Sequence, residues 1–392
     1  MLLSPKARLF LIDTGFQVVG AFAAAVVLSF GSWPLEPFAG GAMIRNQWYV
    51  ILESRELCAR PLGLQRMGER LVLWRDERGR PVCAVDRCAH RGASLALGRV
   101  VGPGSAEAWR DGSGPAVAPG VDREGCRVQC PFHGIEYDSS GRATFVPANG
   151  RAAAVPEGYR LASYPTHEER GFIWIFWAED GSAPPAPPGY FDDIPERMRS
   201  STISMLWDNH YSRVIENQLD VAHLPFVHFN TIGRGGATLV EGPGVFAREE
   251  GFFVFTFNKV DDGSKPRSPE EVPVPPRDRV FKLEFRFPNL WQNYIGEKMR
   301  IVAAFVPVDE GRTLMYLRLY QSFVRAPLIE KIVFAIGNRY NYRIADQDRR
   351  VVNSQLPKGS GEATGELLFP GDRAIMEYRK LRHEARKGLA AE

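Results

Sequence analysis

Cysteine is sparse, five in 392 residues, and an odd count in a chain this long draws no disulfide framework. Cys58, Cys83 and Cys126 read as plain buried thiols in a reducing, cytoplasmic compartment. Charge is nearly balanced at +3; with no basic run and no pattern of stacked aromatics, nucleic acid is excluded as a partner. No internal repeat is present, and no G-x-G-x-x-G opens a helix after a strand, so the chain carries no nicotinamide site of its own. Long apolar runs are equally scarce. The strongest, residues 15–30 (GFQVVGAFAAAVVLSF) behind Lys6 and Arg8, has the character of a signal h-region or a weak membrane anchor, although Asp13 and Gln17 argue against a span. The chain as a whole, 44% hydrophobic and 24% charged, has the composition of a globular protein long enough for two domains with separate cores.

Histidine is scarce too, seven in all, and unevenly placed. Glu216, Asp220, His223 and His228 crowd one short stretch. On a continuous α-helix the first three fall at i, i+4 and i+7, a polar stripe where a core helix would be apolar. Pro225 then breaks the helix at Leu224 and swings His228 back, so that two imidazoles can meet one ion. The bland alternative is a pair of hydrogen-bonded core histidines beside a helix end. Upstream, Cys88-Ala89-His90 and Cys130-Pro131-Phe132-His133 supply two thiols and two imidazoles in short loops. That is the donor set in which two His replace two Cys on one iron of a two-iron cluster; structural zinc takes the same donors. Gly92 and Gly134 follow the two histidines, where a side chain would crowd a cluster approached by backbone.

Strand and turn signals divide the rest. Short strands are expected at 48–52, 71–75, 82–86, 126–129 and 135–138, a small antiparallel β unit with the Cys/His loops at one end. Residues 101–121, rich in Gly, Pro, Ala and Ser, form a surface insertion between those loops. Gly171 to Trp177 reads as a fully buried strand, and Ala183-Pro184-Pro185-Ala186-Pro187-Pro188 after it as a stiff linker. Beyond come the histidine helix and β-rich sequence at 252–257, 281–287, 301–308 and 314–320, interrupted by a polar loop at 261–278. Together these make an antiparallel sheet with helices laid on it.

On these motifs the chain resembles the catalytic (alpha) subunit of a Rieske non-haem iron, aromatic-ring-hydroxylating-type oxygenase, from about Met43 almost to the end. The resemblance implies an α+β chain: an all-β Rieske [2Fe-2S] domain followed by a helix-grip (START-like) antiparallel-sheet catalytic domain. The boundaries expected are 43–182 for the Rieske domain, 183–188 for the Pro-rich linker and 189–392 for the mononuclear non-haem iron domain. Residues 1–42 are then an N-terminal extension: a mis-assigned start, an arm, or a weak anchor giving membrane association through residues 15–30. Cys88, His90, Cys130 and His133 hold the cluster; His223, His228 and a carboxylate hold Fe(II).

The late helix, expected from about Leu328 to Gln355, offers Asp346 and Asp348 as that carboxylate. Asp348 shares a stripe with Val333, Ile336, Tyr340, Ile344, Val351 and Val352 and faces the core; Asp346 lies beside Arg343, Arg349 and Arg350 on the far side. The stretch from Asp348 to Gln355 also resembles the family segment that follows the aspartate ligand, with Asn353 where many relatives carry Glu. The resemblance further implies O₂ as co-substrate and a small organic, aromatic or cyclic substrate that is hydroxylated, dihydroxylated or oxidatively dealkylated. Electrons come from a separate NAD(P)H-dependent reductase, directly or through a ferredoxin. A homotrimer is implied in which Asp220 bridges His223 to His133 of a neighbour. The alternative is a Rieske electron carrier without oxygenase activity. Such carriers usually add two disulfide cysteines at places held here by Ala93 and Phe132, and a second metal site would go unexplained.

Overall fold

A computed structural model describes residues 43–102, 125–150, 152–178, 183–273, 282–361 and 364–390. The apolar stretch at 15–30, most of the 101–121 insertion and the end of the 261–278 loop lie outside the described residues. Among them, no helix is long and apolar enough to cross a membrane.

The N-terminal half is all β. Strands β1 (Gln47–Glu53), β2 (Leu62–Arg66), β3 (Glu69–Arg75) and β4 (Pro81–Val85) come first, then β5 (Arg99–Val101), β6 (Arg127–Gln129), β7 (Glu136–Tyr137) and β8 (Ala143–Phe145). β9 (Ser163–Tyr164), β10 (Thr166–Glu169) and β11 (Phe172–Trp177) close it. They form three small antiparallel sheets ordered β1-β11-β10, β2-β3-β4-β9 and β5-β6-β7-β8. β2, β5 and β8 to β10 carry too short or too polar a pattern to be read from sequence.

The C-terminal half is a seven-stranded antiparallel sheet with helices. Its strands are β12 (Arg199–Trp207), β13 (Leu239–Arg248), β14 (Gly251–Lys259), β15 (Lys282–Arg286), β16 (Leu290–Gly296), β17 (Met299–Asp309) and β18 (Arg312–Gln321), in the order β12-β18-β17-β16-β15-β14-β13. Helices α1 (Tyr211–Leu219), α2 (Leu224–Val227), α3 (Pro327–Val352) and α4 (Arg373–Ala390) complete it. Mixed α+β with β predominating is the fold.

Packing explains how the halves are held together. β11 (FIWIFW) is buried at every residue because its alternating side chains enter two cores. Ile173, Ile175 and Trp177 join the core that also holds Tyr211, Phe305 and Tyr378. Phe172, Trp174 and Phe176 join Val302, Ala304 and Val306 of β17 on the other face of the large sheet. Asn289, 1% exposed, adds a polar rivet: its Oδ1 accepts from the Val50 amide at 3.2 Å and its Nδ2 donates to the Val50 and Phe305 carbonyls at 3.0 and 3.2 Å. Each buried group orphaned by losing it would cost about 1–3 kcal/mol. The halves therefore share two cores, while a third, around Trp74, Val128 and Tyr137, belongs to the N-terminal half alone. Residues 183–187 run exposed over the surface, so side-chain packing, and not the stiffness of the Pro-rich segment, fixes the two halves against each other.

Three local expectations are corrected. Cys58 is exposed while Cys83 and Cys126 are buried. On α3 the buried set is Glu330, Asn341, Ala345, Asp348 and Val352, whereas Ile336, Tyr340 and Val351 are exposed. Of the buried set, Asn341, Ala345 and Asp348 line a cavity, Val352 packs into the core and Glu330 pairs with Arg199. The histidine helix also ends sooner than its pattern suggests, with consequences at the site.

Candidate metal centres and pocket

The two Cys/His loops are built on one plan. The Cys88 amide donates to the Ala93 carbonyl and the Gly92 amide to the Cys88 carbonyl; likewise Cys130 donates to Ile135 and Gly134 to Cys130. Gly92 and Gly134 have φ of 73° and 72°, the left-handed region that favours glycine. The left-handed backbone is a reason for glycine at both places independent of any cluster; a Cβ at Gly92 would meet the Arg87 side chain at 3.4 Å and at Gly134 the Pro147 ring at 3.1 Å. Both thiols are 2% exposed, while His90 and His133 stand outward with ring centroids 4.8 Å apart. Burial pushes the Cys130 thiol up, and the neighbouring Cys88 adds to the effect, so a cation is needed to hold it as a thiolate. Tyr137 Oη lies 3.1 Å from Cys88 Sγ and accepts from the Ala89 amide at 3.2 Å, which leaves its own proton free for the sulfur. Two inner thiols and two outer imidazoles on twinned loops suit a cluster with two sulfur and two nitrogen ligands.

The second site starts with a break in the chain. α1 stops at Leu219, and Asp220 caps it with extended backbone. Asp220 Oδ1 takes the Ala222 amide at 2.7 Å and the His223 amide at 3.3 Å, a side-chain turn that competes with helix. Thus Glu216, Asp220 and His223 do not form one helical stripe. Glu216 stays in α1 and pairs away from the site with Arg379 at 2.7 Å and Arg213 at 3.2 Å. Pro225 does not end a helix either; it lies in the first turn of α2, where its missing N–H costs nothing. α2 then carries His228 back beneath His223.

Asp348 meets them from α3. One ligand atom from each of His223, His228 and Asp348 lies within 4.8 Å of the others, with Asp348 Oδ1 at 2.9 Å from His228 Nε2 and 3.4 Å from His223 Nε2. Despite these distances Oδ1 accepts no well-directed hydrogen bond: the three donors point at common space rather than at one another. A cation shared by two nitrogens and an oxygen is what that orphaned oxygen fits. Asp346 is outside, paired with Arg349 at 2.5 Å. Burial pushes the Asp348 carboxyl up, but the close approach of His223 and His228 outweighs it and leaves it below the usual range. Burial likewise opposes charge on His223, yet Asp220 and Asp348 raise it to about 9. Asp220 Oδ2 stands 3.6 Å from His223 Nδ1, an ion-pair separation rather than a hydrogen bond.

Sequence reading missed Gln347. Its Oε1 accepts from Thr231 Oγ1 at 2.9 Å and meets His228 Nδ1 at 3.0 Å, while its Nε2 donates to Asn230 Oδ1 at 2.8 Å. With the carbonyl so oriented, His228 carries its proton on Nδ1 and turns a lone pair on Nε2 toward Asp348. The only signal available was a rule, that a ligating imidazole wants an acceptor on its other nitrogen; nothing local marks a partner 119 residues away.

Beside the three donors opens a pocket of about 530 Å³, walled by α3, α1 and strands β14 to β18 and lined mainly by apolar groups such as Leu283, Ile301 and Leu317. Its volume and lining suit a small organic molecule.

Comparison with known proteins agrees with this geometry. Residues 47–165 match the Rieske [2Fe-2S] domain and residues 207–388 the vanillate O-demethylase oxygenase C-terminal domain. The chain is 30% identical over 224 residues to the vanillate O-demethylase oxygenase subunit of Pseudomonas sp. (strain HR199 / DSM 7063), covering 57% of this chain and 54% of that one. It is 24% identical to aminopyrrolnitrin oxygenase PrnD of Pseudomonas fluorescens over 85% of this chain and 88% of that one. The chain spans between 26% and 54% of the length of the first curated relatives it matches. Among solved structures, NdmB of Pseudomonas putida CBB5 superposes with a TM-score of 0.66 over 90% of this chain and 95% of that one at 20% identity, a likeness of fold. The Cys/His loops fall inside the first matched domain and the His-His-Asp convergence inside the second, and the chain belongs to the family of Rieske oxygenase subunits.

Proposed function

We propose that the protein is the terminal oxygenase component of a Rieske-type system, cytoplasmic, acting on a small aromatic or cyclic substrate with O₂ and electrons relayed from NAD(P)H by a separate reductase, with or without a ferredoxin. In this reading residues 43–182 hold a [2Fe-2S] cluster on Cys88, His90, Cys130 and His133. Residues 189–392 hold Fe(II) on His223, His228 and Asp348, and 183–188 connect the two. The observation that carries it is the convergence of those three donors at the wall of a 530 Å³ pocket. Once bound, the cluster would supply single electrons and the iron open positions for O₂ beside substrate. The chain's own part is positional: Gln347 fixes the His228 tautomer, and Asp220 sits against His223 with its side chain 27% exposed.

That exposure supports a homotrimer in which Asp220 links His223 to the partner subunit's His133, electrons passing between subunits. The test is a single turnover: protein with a pre-reduced cluster is mixed with O₂ and a panel of aromatic and cyclic compounds, recording cluster reoxidation and product mass. Coupled reoxidation and oxygenated product, lost in His223→Ala with the cluster spectrum intact, is the expected result. Product formation in His223→Ala would sink the assignment. Asp220→Asn should retain both metals and the oligomer while cluster reoxidation slows; wild-type rates would remove the bridge.

A further inference from the structure

The N-terminal half of α3 turns apolar side chains to solvent. Its buried face includes Glu330, Asn341 and Asp348, whereas Leu328, Ile332 and Ile336, spaced i, i+4 and i+8 on the outer face, are 73%, 52% and 66% exposed. Ile329 and, just before the helix, Phe323 widen the stripe; each is about half exposed. A single exposed Leu or Ile is ordinary, but a row of them along one helix face marks a surface that meets something apolar. The row also leads to the pocket. Tyr340, one turn past Ile336, is 45% exposed and lines the 530 Å³ cavity, as does the half-exposed Ile232.

Charge narrows what covers it. Between residues 322 and 345 the one acid is Glu330, which is buried and pairs with Arg199 of β12. Over the same stretch Arg325, Lys331, Arg339 and Arg343 are all exposed, and none meets an acid among the described residues. Arg339 and Arg343 continue the outer face at three and seven residues beyond Ile336. A second copy docked about a two-fold axis would set this patch against itself, cation against cation. The apolar residues 15–30 of the chain bring no compensating charge: Lys6 and Arg8 cancel Asp13 and Glu36 across residues 1–42. An anionic bilayer offers both complements together, acyl chains for the stripe and phosphates for the cations, with no fixed pairing geometry to satisfy.

We propose that the outer face of α3 is a docking surface for a bilayer containing anionic lipid. Leu328, Ile332 and Ile336 enter the boundary between headgroups and acyl chains, and Lys331, Arg339 and Arg343 meet the phosphates. The chain then lies on the membrane rather than across it, in keeping with the absence of a spanning helix among the described residues. Docking in this way holds the rim of the pocket at Tyr340 against the lipid, so an apolar substrate dissolved in the bilayer passes into the cavity without crossing water. The docking itself is independent of the oxygenase reading, and binding tests it without turnover.

The experiment is co-sedimentation of the full-chain holoprotein with vesicles of phosphatidylcholine alone or with roughly one-third phosphatidylglycerol, the cluster's absorbance reporting both the bound fraction and the integrity of the fold. Wild-type protein is expected to bind the anionic vesicles at least about tenfold more tightly than the neutral ones, the preference fading as salt rises from about 0.1 to 1 M. The double variant Ile332→Glu/Ile336→Glu should abolish binding, and the triple variant Lys331→Gln/Arg339→Gln/Arg343→Gln should remove the preference for anionic lipid; all five residues are exposed, so a folding failure in one variant leaves the other to decide. Failure of the wild type to sediment with either vesicle, or equal binding to both, would overturn the proposal. Binding that survives Ile332→Glu/Ile336→Glu would overturn it as well, by placing attachment elsewhere, residues 15–30 first. So would a wild type that ignores vesicles but whose mass in sedimentation velocity falls in that variant, since the face would then join copies of the chain.

Discussion

Replacing Gln347 perturbs the metal end of the site without touching a ligand. His228 is 1% exposed, and Gln347 Oε1 at 3.0 Å is the acceptor for its Nδ1 proton. In Gln347→Met the side chain keeps its length but accepts almost nothing. The imidazole then either buries an unpaired N–H, at about 1–3 kcal/mol, or turns away from the geometry shared with His223 and Asp348. Either way iron binding bears the loss, and supporting contacts of this kind are worth about 10–100-fold in metal affinity, or roughly 1.4–2.7 kcal/mol. Gln347→Glu keeps an oxygen at the same place and should bind within a few fold of wild type. The assay is competition between the protein and a ferrous chelator under anaerobic conditions, with cluster absorbance as the internal check on folding. If Gln347→Met held iron as tightly as wild type, or Gln347→Glu lost as much as Gln347→Met, the hydrogen bond would have no part in preparing His228.

The two acids of α3 should separate cleanly: Asp348→Ala loses mononuclear iron and keeps the cluster by metal analysis, while Asp346→Ala keeps both, because Asp346 only pairs with Arg349 at the surface. Tyr137→Phe removes the hydroxyl 3.1 Å from Cys88 Sγ and should lower the cluster's reduction potential by tens of millivolts, about 60 mV for a 1.4 kcal/mol bond in a one-electron couple; an unchanged potential in redox titration would show that the proton points elsewhere. Glu366 binds Arg213 and Arg379 at 2.6 Å each; burial raises its carboxyl, but the two guanidinium groups win and hold it at about 2. A depressed carboxyl stabilises the fold above its unfolded pKa and loses that contribution as pH falls through the folded value. Denaturant melts should therefore show Glu366→Gln destabilised at pH 7 by about 1–2 kcal/mol after solvent screening, the gap closing between roughly pH 4.5 and 2.

What the sequence by itself determined is what is close in the chain. Each Cys/His loop packs its thiol, its imidazole and a left-handed glycine into five residues, from Cys88 to Gly92 and from Cys130 to Gly134, so its shape follows from local backbone chemistry. The strands with long alternating or wholly apolar runs, such as β11, β14, β17 and β18, were legible for the same reason: their period is written in neighbouring residues. Local pattern misled where a side chain could bond its own backbone. Asp220 ends α1 by taking the Ala222 and His223 amides, an outcome that spacing along an assumed helix cannot foresee. Only the tertiary structure decided which groups meet across the chain. It brought α3 over the pocket, so that Asp348 reaches His223 and His228, Gln347 reaches His228, and Tyr340 and Asn341 line a cavity while apolar Ile336 is exposed. It also merged the two halves through shared cores and the Asn289 bonds. Such meetings depend on the summed packing of a whole sheet and its helices, a quantity no window of sequence contains.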